Sequence, residues 1–251
     1  MKSVEKWDKA AADFQRNFRH GLNEYNRGVI RFLEENEMIF PGCKVADIGC
    51  GVGLYSAEFA RLGCDVTLMD ISPKMLEFAA QNMSGLQARW RTMQCDFLSD
   101  EISGAYDLSF ASMSPAIQEV DAIKKMSGIT EGWCFATRFA SWEQKNKDEL
   151  FRILDIHRHK DGDLGTDCEA FIRNVTEAGY EPKVKLVDYC WCDEYTIDGA
   201  IEYIMGKYMA ERSYASATLW DVTATVNSRS TLKRICSLAE FADSRLWANT
   251  R

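Results

Sequence analysis

At 251 residues, with 46% apolar and 27% charged side chains, the chain is long enough to bury one sizeable α/β core and has the balance of a soluble globular protein. A formal net charge of −8 and a pI near 5.1 argue against a nucleic-acid backbone as partner, since that binding needs clustered Lys and Arg, and the local patch Arg89-Trp90-Arg91 does not reverse the balance. The nine cysteines are odd in number, repeat at no fixed spacing and follow no apolar leader, and no stretch is long and apolar enough to span a bilayer; together these predict a soluble, cytoplasmic protein whose thiols are small buried hydrophobes.

In chain order, Val4 to about Asn36 predicts two amphipathic helices. Trp7, Ala11 and Phe14 repeat at helical spacing with Phe18 following, and beyond the Gly21 break Tyr25, Val29, Phe32 and Leu33 do the same. Pro41-Gly42 marks a turn, and Lys44 to Ile48 reads as a first strand. The alternating glycines Gly49, Gly51 and Gly53 lead into a helix from Leu54 to Leu62 that stops at Gly63. Cys64 to Met69 is a second strand ending on Asp70, and Ser72-Pro73 opens a helix to about Asn82 as N-cap and first helical residue. Further strands are predicted at Ala88 to Gln94, Tyr106 to Ala111 and Gly132 to Phe139, with a helix from Pro115 to about Met126. Beyond Trp142 the pattern predicts helices over Glu143 to His157, Asp167 to Ala178, Asp198 to Met209 and Thr231 to Leu246, and strands over Lys183 to Cys190 and Leu219 to Val226.

The sustained alternation implies one doubly wound, seven-stranded, mostly parallel sheet, with no repeat or linker to divide it. Residues 1–251 therefore read as a single domain: a helical cap over 1–40, a ligand-binding core over 41–140 and a substrate and lid part over 141–251. The glycine turn of the first βαβ unit is the natural ligand site, because a strand passing through glycines into a helix brings backbone amides close to a bound molecule. A dinucleotide fold places a third glycine where Leu54 stands, which disfavours a nicotinamide-dependent oxidoreductase.

Val45-Ala46-Asp47-Ile48-Gly49-Cys50-Gly51-Val52-Gly53 resembles the first motif of the class I S-adenosylmethionine-dependent methyltransferases of small-molecule type. Asp70 stands where that family has the acid ending its second strand, and Asp96-Phe97 and Tyr106-Asp107-Leu108 fall at its third and fourth motifs. The resemblance covers roughly residues 40–140. It implies a Rossmann-like methyltransferase fold, S-adenosyl-L-methionine as cofactor and S-adenosyl-L-homocysteine as product. Asp47, Gly49, Cys50, Gly51 and Gly53 would then hold the amino acid end, Asp70 both ribose hydroxyls and Asp96 the adenine amine. Ile71, Met75 and Phe97 would flank the ring, while Ser112 and Met113 would line the methionine end. A sulfonium and an ammonium are cationic, so carboxylates around the turn suit this ligand where a pyrophosphate would need free donors. Competing with these roles, an Asp at a strand end often caps the next helix, and Cys50 has no His or Lys nearby to make it a nucleophile.

The segment Ser112-Met113-Ser114-Pro115 lacks the Asn/Asp-Pro-Pro-Tyr/Phe pattern that resembles amino methylation of bases or glutamine, which leaves a small molecule as the expected acceptor. Trp7, Phe14, Tyr25, Ser114, Arg138 and Trp142 are the candidate substrate-facing residues, with His20 and Tyr25 as candidate proton acceptors. No metal is expected: Cys190 and Cys192 lack a chelating loop, and His157 and His159 fall on opposite sides of a helix. The catalytic residues, the accepting atom and the choice between monomer and homodimer are open at this level. The alternatives are a methyltransferase for a protein or tRNA and a non-catalytic module that keeps the cofactor.

Overall fold

The computed structural model describes residues 2–18, 21–138 and 164–187, all within one compact unit. Five parallel strands, β1 (Lys44–Ile48), β2 (Asp65–Asp70), β3 (Trp90–Gln94), β4 (Tyr106–Ser112) and β5 (Thr130–Thr137), form one sheet in the order β3-β2-β1-β4-β5. Helices α1 (Lys2–Phe18) and α2 (Glu24–Glu35) precede the sheet, and α3 (Leu54–Arg61), α4 (Pro73–Met83) and α5 (Val120–Gly128) connect its strands. Helix α6 (Leu164–Glu177) is the last described element. The doubly wound parallel sheet matches the expectation from sequence. Five strands are described rather than seven. Lys183 to Val187 is irregular and its Val184, Leu186 and Val187 are exposed, while the rest of that predicted strand, Trp142 and the elements predicted over 143–157, 198–209, 219–226 and 231–246 lie outside the described residues.

The sheet divides the core into two layers. On one face Val45, Leu68 and Leu108 meet Leu33 of α2, Phe59 of α3 and Leu76, Ala79 and Met83 of α4. There the Phe110 ring meets Tyr55 tilted at 4.8 Å, Phe59 edge-on at 5.1 Å and Phe135 stacked at 5.7 Å, arrangements that add to the burial of each ring. On the other face Ala46, Ile48, Met69 and Ala111 meet Ile117 and Met126, with Phe171 of α6 packed against them. β1, β2 and β4 are covered on both faces and so are mostly apolar, with Asp47, Thr67 and Ser109 buried among the hydrophobic side chains.

The helix predicted from Pro115 is broken in two. Ser114 caps a short 3-10 turn at Pro115–Ile117 by accepting the Ala116 amide at 3.3 Å, and α5 begins afresh at Val120. The local signals for the other helices act as expected. Asn23 accepts the Asn26 amide at 2.8 Å to start α2, and Ser72 accepts the Met75 amide at 3.1 Å to start α4. The chain order reverses between β1 and β4, and the carboxyl ends of strands at such a switch point border the crevice in which ligands of open α/β sheets bind.

Candidate functional site

The crevice is floored by the turn from β1 into α3. Gly49, Gly51 and Gly53 all adopt left-handed backbone, at φ of 72°, 55° and 81°. At Gly49 the requirement is also steric, for a Cβ there would lie 2.1 Å from the Ser114 hydroxyl oxygen. At Gly53 a Cβ would press on Leu68 at 3.2 Å and Ala79 at 3.3 Å, so this glycine lets α3 approach both β2 and α4. Among the described residues only Met75 sulfur, 4.0 Å away, comes near the corresponding point on Gly51. Gly53 at the N-cap of α3 has no side chain to cap the helix, while Asp47 faces the Ser56 amide of its first turn.

Two carboxylates frame this turn. Asp47 is 3% exposed at the end of β1, and its Oδ2 accepts the Ser56 hydroxyl at 2.6 Å. Burial raises its pKa from 3.8 to about 7, and the nearby Asp70 charge pushes the same way, against the Ser56 hydrogen bond. Asp70 ends β2; its Oδ2 accepts the Gly51 amide and its Oδ1 the Ser72 amide, each at 2.9 Å. Burial raises the Asp70 pKa as well, opposed by those amides. A carboxylate has about four lone-pair positions, so Asp70, which also faces the Ile71 amide, keeps capacity for a further donor. Cys50 places its thiol against the Gly51 carbonyl, and burial, with Asp47 and Asp70 behind it, holds it firmly protonated.

The opposite rim, at the ends of β4 and β5, is built from hydroxyls. Ser112 Oγ pairs with Thr137 Oγ1 at 2.9 Å, and Tyr55 reaches Ser112 while its phenol oxygen accepts the Asn26 amide group at 2.6 Å. Burial keeps that phenol protonated far above neutral pH. Met113 takes a left-handed φ of 50° and donates its amide to the Thr137 carbonyl at 3.1 Å. Ser114 follows, 3% exposed, with its hydroxyl against Gly49 and its carbonyl accepting Arg138 Nη2 at 2.8 Å. The Arg138 guanidinium lies 4.6 Å over the Phe171 ring, tying this rim to α6.

Asp96 and Phe97 stand apart from that arrangement. The exposed Asp96 closes a local turn, accepting the Leu98 amide at 3.2 Å while its own amide donates to Asp100 at 2.9 Å. Phe97 is 3% exposed among Cys95, Ile117 and Met126, with the Lys125 ammonium 5.4 Å from its ring. Met75 is buried with Ala11 and Val52, and Ile71 is half-buried beside Asp70. Of the candidates on the N-terminal helices, Trp7 packs on the Val52 and Met75 cluster and meets Phe14 edge-on at 6.4 Å; Phe14 itself is 46% exposed; Tyr25 packs against the α3 side of the core. His20, Trp142, His157, His159, Cys190 and Cys192 lie outside the described residues. Among the described residues no three side chains gather as a metal site.

Sequence reasoning missed Ser56, Asp8, Asn26 and Tyr55. Ser56 is the third residue of α3 and is entirely buried, a serine in the first turn set among apolar neighbours in the sequence. Asp8 reaches from α1 to accept the Ser72 hydroxyl at 2.6 Å, a contact spanning 64 positions that no local pattern announces.

A family profile described as a methyltransferase domain matches residues 45–130. A ubiquinone biosynthesis O-methyltransferase of Xanthomonas campestris is 32% identical over 103 residues, 40% of this chain and 40% of that protein. A magnesium-protoporphyrin O-methyltransferase of Rhodobacter capsulatus is 33% identical over 123 residues, 49% of this chain and 47% of that protein. The chain thus spans less than half the length of these curated relatives. Among solved structures, a magnesium protoporphyrin IX methyltransferase from Synechocystis with bound S-adenosylmethionine superposes with a TM-score of 0.43 at 20% identity, over 63% of this chain and 68% of that one. A methyltransferase from Aquifex aeolicus gives 0.49 at 13% identity, over 68% and 87%.

Proposed function

We propose, from the premise that residues 45–130 belong to the methyltransferase-domain family, that this chain binds S-adenosyl-L-methionine at the β1–α3 turn and passes its methyl group to an oxygen of a small molecule. The observation that carries the reading is the pair of acids, the buried Asp47 and the half-buried Asp70, whose described partners are the Ser56 hydroxyl and backbone amides, none of them cationic. Burying a carboxylate without a counter-charge is costly, and a cationic ligand offsets that cost. A pyrophosphate at the turn would meet Asp47 as repulsion, whereas Asp70 at the end of β2 suits a ribose in either ligand, so Asp47 is the acid that favours this cofactor over a dinucleotide.

In this reading Asp47 holds the ligand's ammonium through the turn, the start of α3 takes its carboxylate, and Asp70 uses its remaining lone-pair capacity on the ribose. Ile71 and Asp96, just past the ends of β2 and β3, border the adenine, with Met75 and Phe97 forming the packing beneath. The cofactor supplies an activated methyl group on sulfur. Ser112, Met113 and Ser114 set the rim against which an acceptor aligns, and none of these groups, nor Tyr55, ionises near neutral pH, so they orient rather than deprotonate. The two relatives named as O-methyltransferases support oxygen as the accepting atom and a small molecule as the acceptor.

Calorimetry with S-adenosyl-L-homocysteine tests the cofactor assignment. Micromolar-scale binding by the wild-type protein is expected, with Asp70→Ala weakening it by about a hundredfold through lost charge-assisted hydrogen bonding to the ribose. Undiminished affinity in that variant rules out the ribose role. Methyl-label transfer from S-adenosylmethionine into a metabolite extract then identifies the acceptor, and label found only in protein or tRNA excludes the small-molecule reading.

A further inference from the structure

The strongest unexplained feature is the way α1 is wired to the glycine turn. Asn82, near the end of α4, spends all its hydrogen-bonding groups on two targets. Its amide nitrogen donates to the Val52 carbonyl at 2.9 Å and to Gln15 Oε1 at 2.7 Å, and its oxygen accepts Gln15 Nε2 at 2.8 Å. Val52 lies between Gly51 and Gly53, both left-handed, so the direction of its carbonyl fixes how the turn presents its amides. Among the described residues the side chain bonded to that carbonyl is an amide 30 positions away, and Gln15 of α1 holds that amide in place.

A second connection runs in parallel. Ser72 donates its amide to Asp70 and its hydroxyl to Asp8 of α1, and Asp8 also accepts the Lys74 amide at 3.4 Å. Between the two connections Ala11, 1% exposed, packs directly on Val52 and Met75. One helix is therefore joined to both halves of the cradle: to the turn through Gln15 and Asn82, and to the ribose acid through Asp8 and Ser72. A helix that only covered the core would need the apolar stripe and not two polar links converging on the ligand-binding backbone.

We infer that Asn82 is a positioning residue for the glycine turn and that the Gln15–Asn82 pair couples docking of α1 to cofactor binding. The inference rests on the cofactor reading above. Coupling is reciprocal: if docked α1 holds the turn in its binding shape, bound cofactor must hold α1 down by the same factor.

The test uses the full chain and S-adenosyl-L-homocysteine as probe, with calorimetric affinity and hydrogen exchange of α1 measured on wild type, Asn82→Ala, Gln15→Ala and the double variant. Ligand should slow exchange across α1 in the wild type about tenfold, and Asn82→Ala should weaken binding about tenfold and abolish that slowing. Gln15→Ala should do the same in smaller measure, and the double variant should be no worse than Asn82→Ala, because both act through one chain of contacts. A purely structural role lowers the unfolding midpoint of the variants but leaves affinity and ligand-dependent protection at α1 as in wild type, and that result overturns the inference. Should Asn82→Ala fail to fold, the isosteric Asn82→Asp, which loses both donors, takes its place. If the wild type binds no S-adenosyl compound, the cofactor reading falls and this inference with it; if it binds and the variants match it, this inference alone falls.

Discussion

The two sides of the crevice are made of different chemistry. On the β1–β2 side stand a buried and a half-buried carboxylate, both above their ordinary pKa, a turn built on left-handed glycines, and a helix start whose N-cap has no side chain. On the β4–β5 side stand hydroxyls paired with one another, a protonated phenol and one strained methionine. The first side is electrostatically unfinished and calls for a cation; the second is hydrogen-bonded within itself and offers shape. Such a division suits a reaction whose donor arrives already activated, since one wall must then grip charge while the other has only to align a partner.

The walls touch at Gly49, and the largest effect is expected there. A methyl group at this position meets the Ser114 hydroxyl at 2.1 Å and Ser114 Cβ at 2.8 Å, on a backbone that L residues rarely adopt. Gly49→Ala should cost more than about 5 kcal/mol, the range reserved for severe steric conflict, and should abolish binding of S-adenosyl-L-homocysteine. Adding Ser114→Gly removes the obstructing atoms and should recover part of the stability in urea denaturation but not the backbone strain. Equal loss in both variants would show that the walls are not in contact.

Asp47 sharpens the electrostatic half of the contrast. Its pKa is raised from 3.8 to about 7, so between those values the folded protein binds more protons than the unfolded chain. The ligand-free protein should therefore lose stability as pH rises from about 4 through 7, by on the order of 4 kcal/mol for a shift of this size. Asp47→Asn keeps an acceptor for Ser56 and carries no charge, so it should be more stable than wild type at pH 8, with the advantage vanishing near pH 4, as read by thermal unfolding. The same variant should bind the ligand poorly. In the wild type, affinity should fall toward tenfold per pH unit on acidification below about 7, because the protonated acid no longer attracts an ammonium; a flat profile from pH 5.5 to 7.5 would contradict the role.

These two residues also show how far the sequence could be read. Asp47, the glycines and Asp70 are legible because the chemistry is local: a strand end, a turn and a helix start lie within one stretch, and each residue type is imposed by backbone shape or charge. The sheet and five of its strands follow for the same reason, through apolar runs punctuated by glycine and proline. Asp96, after the end of β3, uses one carboxylate oxygen to cap its own turn, a local role that spacing alone does not separate from ligand binding. Ser56, Asn82 and Tyr55 were illegible because their roles arise from contacts across elements. The Asn82–Gln15 pair is 67 positions apart and the Tyr55–Asn26 pair 29, and nothing in either local pattern distinguishes them from ordinary surface or core residues. The predicted strand at Lys183 to Val187 shows the converse, alternation without burial, and alternation stabilises a strand only when one face is covered.

Tyr55 probes whether the hydroxyl wall is structural. Tyr55→Phe keeps the ring on Phe110 and removes the oxygen, leaving the Asn26 amide group without its 2.6 Å acceptor. The expected cost is about 1–2 kcal/mol in urea denaturation, the scale of an unmade hydrogen bond at a partly buried site, with cofactor affinity changed less than threefold. A large loss of affinity would move the phenol from the aligning wall to the gripping one.

The smallest expected effect concerns Met113, whose left-handed φ of 50° is shared by one other described non-glycine residue, the exposed Glu37 at 54°. A non-glycine side chain in this region costs roughly 1–2 kcal/mol, partly offset on replacement because glycine loses more entropy on folding. Glu37→Gly should thus stabilise the protein by about 0.5 kcal/mol and leave binding and turnover unaltered, since Glu37 ends α2 in a simple turn. Met113→Gly relieves the same strain at the rim between Ser112 and Ser114. If the strain serves only to close the chain there, its variant should resemble Glu37→Gly in unaltered turnover; if it aims the rim at the acceptor, kcat should fall several-fold while the KM for S-adenosylmethionine holds, because the gripping wall is untouched. That split between the constants distinguishes a wall that aligns from a wall that merely encloses.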